Sequence, residues 1–200
     1  MSKVRKDKVR ENRICQPLTQ GVRLQGKKHM INIRPEQPED IPLLHAVNEV
    51  AFGQSTEANL VDALRSACPD VVSLVAVSDG QIVGHILFTP VIVSDSAHKV
   101  KGMGLAPMAV SPEYQNQGIG SLLVESGLRI LGTRNCPFVI VLGHTEYYPR
   151  FGFVPASLHG LDCQWDAVPD EAFMVLVLDE TIMSGVSGVA RYREEFDEAM

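Results

Sequence analysis

No apolar run in this chain of 200 residues approaches the roughly 18 residues needed to cross a bilayer. The longest, residues 71–77, has the length of a strand. The opening residues lack the apolar core of a secretory signal. Cysteine is sparse: Cys15, Cys68, Cys136 and Cys163 lie far apart, with no C-x-x-C pair and no histidine cluster beside them. That spacing argues against a metal site and for reduced thiols in a cytoplasmic protein. Hydrophobic residues make up 45% of the chain and charged residues 21%, which excludes wholesale disorder and collagen-like repeats. The length suits one domain, or one domain with a tail.

Negative charge dominates, with a formal net of -6, but unevenly. Residues 1–30 hold nine of the 18 lysines and arginines and only Asp7 and Glu11, a local net of +7. The other residues sum to -13. An acidic body repels nucleic acid and favours cationic partners. The basic segment lacks periodicity and reads as an unstructured extension over 1–29. A nucleic-acid arm would instead show salt-sensitive binding that disappears with residues 1–29.

Order is expected from Met30. Ile31 and Ile33 alternate with polar neighbours as in an edge strand. Pro38, Glu39 and Asp40 open a helix, with acids in the first turn where the dipole favours them. Ile41, Leu44, Val47 and Val50 then repeat at helical spacing up to Gly53. A second helix spans 56–67, capped by Thr56 or Ser55, with Leu60, Val61 and Leu64 on one face. Residues 71–78 and 81–93 form a hairpin about Asp79-Gly80, 94–98 a polar loop, and 104–110 a third strand. A helix is expected over 117–131, and a strand buried on both faces over 138–142. A short element at 146–151 precedes the last strand, 173–178. Residues 191–200 read as a charged helix. The domain thus covers 30–180, is followed by a charged tail over 181–200, and is α+β on one sheet.

One segment stands out: a strand through Leu105, then Ser111-Pro112-Glu113-Tyr114-Gln115-Asn116-Gln117-Gly118-Ile119-Gly120-Ser121 opening a helix. Gly118 and Gly120 let a ligand approach the backbone closely. The first amides of the helix are unbonded and sit at its positive end, which suits a pyrophosphate. A dinucleotide fingerprint fails because Leu123 stands where a third glycine is needed. A phosphate-binding P-loop fails because the segment has no lysine.

What remains, Gln115-x-x-Gly118-x-Gly120, resembles the GNAT superfamily of acyl-CoA N-acyltransferases, and within it the YhbS-like bacterial group. Tyr147-Tyr148-Pro149-Arg150-Phe151-Gly152-Phe153 is similar to a second motif of that family. The resemblance runs from Met30 to Leu178 and implies a mixed, mostly antiparallel sheet of about seven strands, flanked by helices, with splayed central parallel strands. It implies acetyl-CoA as co-substrate, with no metal. The pantetheine arm would lie against Met108, Ala109 and Val110, and the pyrophosphate on the amides of Asn116, Gln117, Gly118, Ile119, Gly120 and Ser121, with Gln115 bracing the loop. Tyr148 would protonate the leaving thiolate, and a backbone N–H near Val110 would hold the oxyanion. For the base the resemblance favours Glu57 over His85, His144 and Glu146. His85, inside an apolar strand, fits a hydrogen-bonded core histidine better. Val141 stands where many relatives carry a pantetheine-binding asparagine. The activity implied is direct acetyl transfer to a primary amine of a small molecule or protein. The alternative is a non-catalytic module that binds acyl-CoA. Neither nucleic acid nor membrane is expected as a partner, and exposed sheet edges would permit a homodimer.

Overall fold

A computed structural model of the chain describes residues 22–23, 30–94 and 99–197. Its strands are β1 (Val22–Arg23), β2 (Met30–Pro35), β3 (Val72–Ser78), β4 (Gln81–Ser94), β5 (Lys99–Val110), β6 (Phe138–Leu142), β7 (Val154–Pro155), β8 (Leu161–Cys163), β9 (Phe173–Val177) and β10 (Gly188–Arg191). The helices are α1 (Ile41–Phe52), α2 (Thr56–Ala67), α3 (Ile119–Thr133) and the short α4 (Glu180–Met183). All ten strands join one sheet in the order β1-β2-β3-β4-β5-β6-β9-β7, with β10 against β4 and β8.

Asp79 and Gly80 take φ of 47° and 82°. This left-handed pair matches the twist of the strands it joins, so β3 and β4 form the expected hairpin. In β6, Phe138, Val139, Ile140 and Val141 are all buried. Val139 and Val141 enter the core under α3, whereas Phe138 and Ile140 enter the core shared with α2 and the C-terminal elements. A continuous apolar run is what a strand covered on both faces requires. The sheet is therefore sandwiched, with α3 on one face and α1 and α2 on the other.

Four findings differ from the sequence reading. Among the described residues the sheet has ten strands; six were located in the sequence, and the others, β1, β7, β8 and β10, are two to four residues long. Arg34 and Asp40 form a two-pronged ion pair at 2.6 and 2.9 Å. Asp40 therefore serves β2 as much as the helix it precedes. Ser55 occupies the position before α2 without a side-chain capping bond. Residues 191–197 do not form the expected α-helix: β10 ends at Arg191 and one 3₁₀ turn follows at Glu194–Phe196, while residues 198–200 lie outside the described residues. Val186, Ala190, Tyr192 and Phe196 are buried, because β10 pairs antiparallel with the end of β4 and parallel with β8. Of the basic extension, only Val22 and Arg23 are described; they pair antiparallel with Met30 and Ile31. The polar loop at 95–98 also lies outside the described residues.

A buried polar chain fastens α1 and α2 to the sheet. Asn48 Nδ2 donates to Leu44 O (2.8 Å) and to His85 Nδ1 (3.1 Å). The His85 proton is then on Nε2, facing Ser73 Oγ at 3.0 Å. Ser73 donates to Glu36, whose carboxylate Arg65 holds at 2.5 and 3.1 Å. Arg65 also donates to Asp62 (2.7 Å), which meets His45 Nδ1 at 2.7 Å. Most of these buried polar groups gain a partner, which offsets their desolvation, while Asn48 Oδ1 has none among the described residues.

Two predictions follow from this packing. A Cβ at Gly127 of α3 would lie 2.2 Å from the Phe88 ring, whereas one at Gly132 would meet nothing within 4 Å. In urea unfolding, Gly132→Ala should stabilise by about 0.5–1 kcal/mol, the usual gain for helical alanine. Gly127→Ala should destabilise by about 1–3 kcal/mol through overpacking. The second concerns pH. Full burial pulls the His85 pKa from 6.5 to about 4, against an opposing pull from Glu36. Between those values the unfolded chain binds a proton that the folded chain does not. Stability should therefore fall as pH drops through that window, by up to about 3 kcal/mol. His85→Asn should flatten this part of the profile, and an unchanged slope would contradict the assignment.

Candidate functional site

The site begins with a strand pair that stops pairing. β5 and β6 are parallel and paired only at Met103–Val139 and Gly104–Ile140. Beyond these residues β5 continues to Val110 and β6 to Leu142 without a partner in each other. On its other side β5 carries a bulge, with Ala106 and Pro107 opposite the single Leu87 of β4. The extra residue bends β5, and Pro107 has no N–H to contribute to a ladder. A cleft of about 840 Å³ opens between the parted strands.

Register fixes which backbone groups face this cleft. Val110 pairs with Gly84, Ala109 with His85 and Met108 with Ile86, and Ser111 N–H donates to Val83 O at 2.9 Å. In an antiparallel ladder, that bond makes Val110–Gly84 a non-hydrogen-bonded pair. The N–H and C=O of Val110, and by alternation those of Met108, therefore point away from β4 toward the cleft. Ala109 directs its own toward β4.

At one end the cleft meets the start of α3. Asn116 and Gly118 adopt φ of 57° and 85°, and the helix opens with the bond from Leu122 N–H to Gly118 O at 3.1 Å. The amides of Ile119, Gly120 and Ser121 precede any carbonyl of the helix that could accept from them. Two side chains lock the loop: Gln115 Nε2 donates to Val110 O (3.0 Å) and Gln117 Nε2 to Glu113 O (2.8 Å). A Cβ on Gly120 would lie 2.7 Å from the Tyr147 hydroxyl. Only glycine leaves that approach open.

Met108, Val110, Gln115, Asn116, Gly118, Ile119, Gly120 and Ser121 line the cleft, as do Tyr148 and Glu57. The side chains of Ala109 and Gln117 do not; the first is buried and the second is folded onto the loop. Tyr148 is 7% exposed, with its ring against Gly143, where a Cβ would be 2.4 Å away. It makes edge contacts with Tyr147 and Phe153 at 5.1 and 5.8 Å. Burial raises its phenol pKa far above the ordinary range. Glu57 lies half-buried in the first turn of α2, with Gln54 Nε2 at 3.2 Å from both oxygens. His144 also lines the cleft, whereas Glu146 lies in a neighbouring hollow and His85 in the polar chain beneath α1.

Several lining residues escaped assignment from sequence. Tyr147 hydrogen-bonds Ser121 through its hydroxyl, and its pKa is raised by burial. The Arg150 guanidinium sits 4.3 Å over the Tyr147 ring centroid. Both belong to the second motif, so the signal was there. Trp165, Tyr192 and Phe196 come from beyond it and carried no local pattern. Among the described residues, no cluster of three or more histidine, cysteine, aspartate or glutamate side chains could hold a metal.

Residues 41–153 match the model of the acetyltransferase (GNAT) family. The chain is 37% identical over 166 residues to an uncharacterized N-acetyltransferase, YhbS, of Escherichia coli strain K12, which covers 82% of this chain and 98% of that protein. A second uncharacterized N-acetyltransferase of the same strain, YjhQ, is 40% identical over 132 residues, or 64% of this chain and 72% of that one. The crystal structure of Escherichia coli YhbS in complex with CoA superposes with a TM-score of 0.78 at 36% identity, covering 84% of this chain and 92% of the other. A GNAT family acetyltransferase from Brucella melitensis in complex with acetyl-CoA gives 0.67 at 32% identity, covering 84% and 98%. Agreement in sequence and fold along most of the chain, centred on the parted strands and the glycine-opened helix, makes this protein a member of the acetyltransferase (GNAT) family.

Proposed function

We propose that the protein is an acetyl-CoA-dependent N-acetyltransferase that passes the acetyl group directly to a primary amine while both substrates are bound. The observation that carries this reading is the parting of β5 and β6, which turns the Met108 and Val110 backbone groups toward an opening that ends at the start of α3. The pantetheine arm would bond to those groups as an added strand. The pyrophosphate would take the amides of 116–121, with Arg150 as a nearby cation. Relatives bind CoA and acetyl-CoA, which supports that co-substrate here.

In the reaction, the neutral amine attacks the thioester carbonyl. The C–N bond forms, and the Val110 N–H donates to the oxygen that gains charge. The C–S bond then breaks, and the departing thiolate accepts a hydrogen bond from the Tyr148 hydroxyl. Burial keeps Tyr148 protonated in the resting enzyme. Because the same burial makes phenolate costly, Tyr148 acts chiefly as a hydrogen-bond donor to sulfur in the transition state. Glu57 receives the proton released by the amine, directly or through water. We place the reaction in the cytoplasm, in keeping with the free thiols of Cys68, Cys136 and Cys163. No described helix is long and apolar enough to cross a membrane.

Calorimetric titration of acetyl-CoA should give saturable binding. Gly120→Glu puts a side chain where Tyr147 stands and a carboxylate where phosphate would bind. It should weaken binding by at least about a hundredfold, the scale of a lost anion site plus like-charge repulsion. Unchanged affinity would remove the cofactor from this loop. Tyr148→Phe, assayed against primary amines and lysine peptides, should lower kcat by about 10²-fold with acetyl-CoA affinity intact. Wild-type turnover would dismiss its role as donor. Tight acetyl-CoA binding without turnover of any amine would instead mark a thioester-binding module.

A further inference from the structure

The end of the cleft away from α3 is walled differently. Phe52 from the end of α1, Leu60 from α2, Trp165 from the loop after β8, and Tyr192 and Phe196 after β10 surround it. Tyr192 packs on Trp165 and Phe196, with centroids at 5.1 and 5.2 Å. Its ring lies over Gly104, the last β5 residue paired with β6, where a Cβ would be 2.5 Å away. That glycine lets the wall reach the point where the strands part. The wall is also braced. Gln164 Oε1 accepts the Tyr192 N–H at 2.6 Å, and Asp197 Oδ1 accepts from Trp165 Nε1 (3.0 Å) and Gln164 Nε2 (3.1 Å). Trp165, Tyr192 and Phe196 all follow residue 153, where the family match ends.

The polar content of this wall is small and specific. Among the described residues, Glu57 is the one carboxylate that lines the cleft. The Tyr192 hydroxyl is fully buried and has no hydrogen-bond partner among the described residues. A buried hydroxyl without a partner is costly unless a ligand or water satisfies it. One carboxylate neutralises one ammonium, and aromatic faces add attraction for that cation. A second ammonium, or the amides of a peptide, would lose water here without regaining a partner.

We propose that this wall is the acceptor pocket and that it selects a primary monoamine on an apolar arylalkyl or alkyl frame, over polyamines and peptide lysines. The ammonium is drawn by Glu57, the apolar body lies against Trp165 and Phe196, and Tyr192 supplies a hydrogen bond. This rests on the acetyltransferase reading of the same cleft.

Trp165 is the only tryptophan of the chain, so its fluorescence reports this wall alone. The full chain, with and without CoA, is titrated with 2-phenylethylamine, n-hexylamine, spermidine and N-acetyl-lysine amide. The first two should give saturable changes at concentrations at least about tenfold below the last two, the scale of one unpaired buried polar group. Tyr192→Phe and Glu57→Gln should each weaken 2-phenylethylamine by about three- to tenfold, the scale of one hydrogen bond or part-exposed charge contact. Calorimetric CoA binding should be unchanged in both. No saturable change with either monoamine, equal or tighter response to spermidine or the lysine amide, or wild-type affinity in both variants would overturn the proposal. Because the titration without CoA reads the pocket alone, a failure of acetyl-CoA to bind would count against the transferase reading separately.

Discussion

The structure depends on the ending of one parallel strand pairing. β5 and β6 share two bridges and then separate, so the backbone of β5 beyond Gly104 keeps β4 on one side and loses its neighbour on the other. The backbone N–H and C=O groups of this open edge have no strand partner, which leaves them able to pair with a ligand. The bulge at Ala106 and Pro107 shifts the register with β4 by one residue, and the pairing resumes at Met108–Ile86, so β5 stays on β4 while the stretch of β6 beyond Ile140 is not paired with it. Val110 contributes twice: its C=O accepts from Gln115 of the loop before α3, and its N–H faces the cleft.

The cleft needs rigid walls on both faces of the sheet, and two different kinds of contact supply them. On one face, apolar packing seats α3 closely enough that Phe88 lies on the Cα of Gly127. On the other, the polar chain from His45 to Asn48 ties α1 and α2 to β3 and β4, and these helices carry Phe52, Glu57 and Leu60. Within that chain His85, its pKa lowered by burial, links β4 to Asn48 of α1 and Ser73 of β3. The C-terminal strand completes that wall by crossing from β8 to the end of β4. Glycines at 104, 120, 127 and 143 each yield space to an aromatic ring or its hydroxyl, so the site is shaped as much by absent side chains as by present ones.

Much of this was legible along the chain. The hairpin at Asp79-Gly80, the doubly buried β6 and the glycine-opened start of α3 are local patterns, each set by residues within a few positions of one another. The C-terminal segment was misread because Arg193, Glu194 and Glu195 give it a charged appearance, while Tyr192 and Phe196, four apart, turn inward. Short strands such as β8 and β10 carry too little pattern to announce themselves. They exist because each finds the other, and β10 finds the edge of β4, across long stretches of sequence.

The sequence by itself determined the strand–loop–helix that can hold a pyrophosphate, the tyrosine of the second motif and the family to which they point. These depend on backbone conformation and spacing within short windows. Tertiary structure alone decided which β5 groups face the cleft, which partners His85 takes in the polar chain, and that Trp165, Tyr192 and Phe196 line one cleft with Glu57. Those outcomes depend on register and on contacts between residues distant in sequence, which no local periodicity encodes.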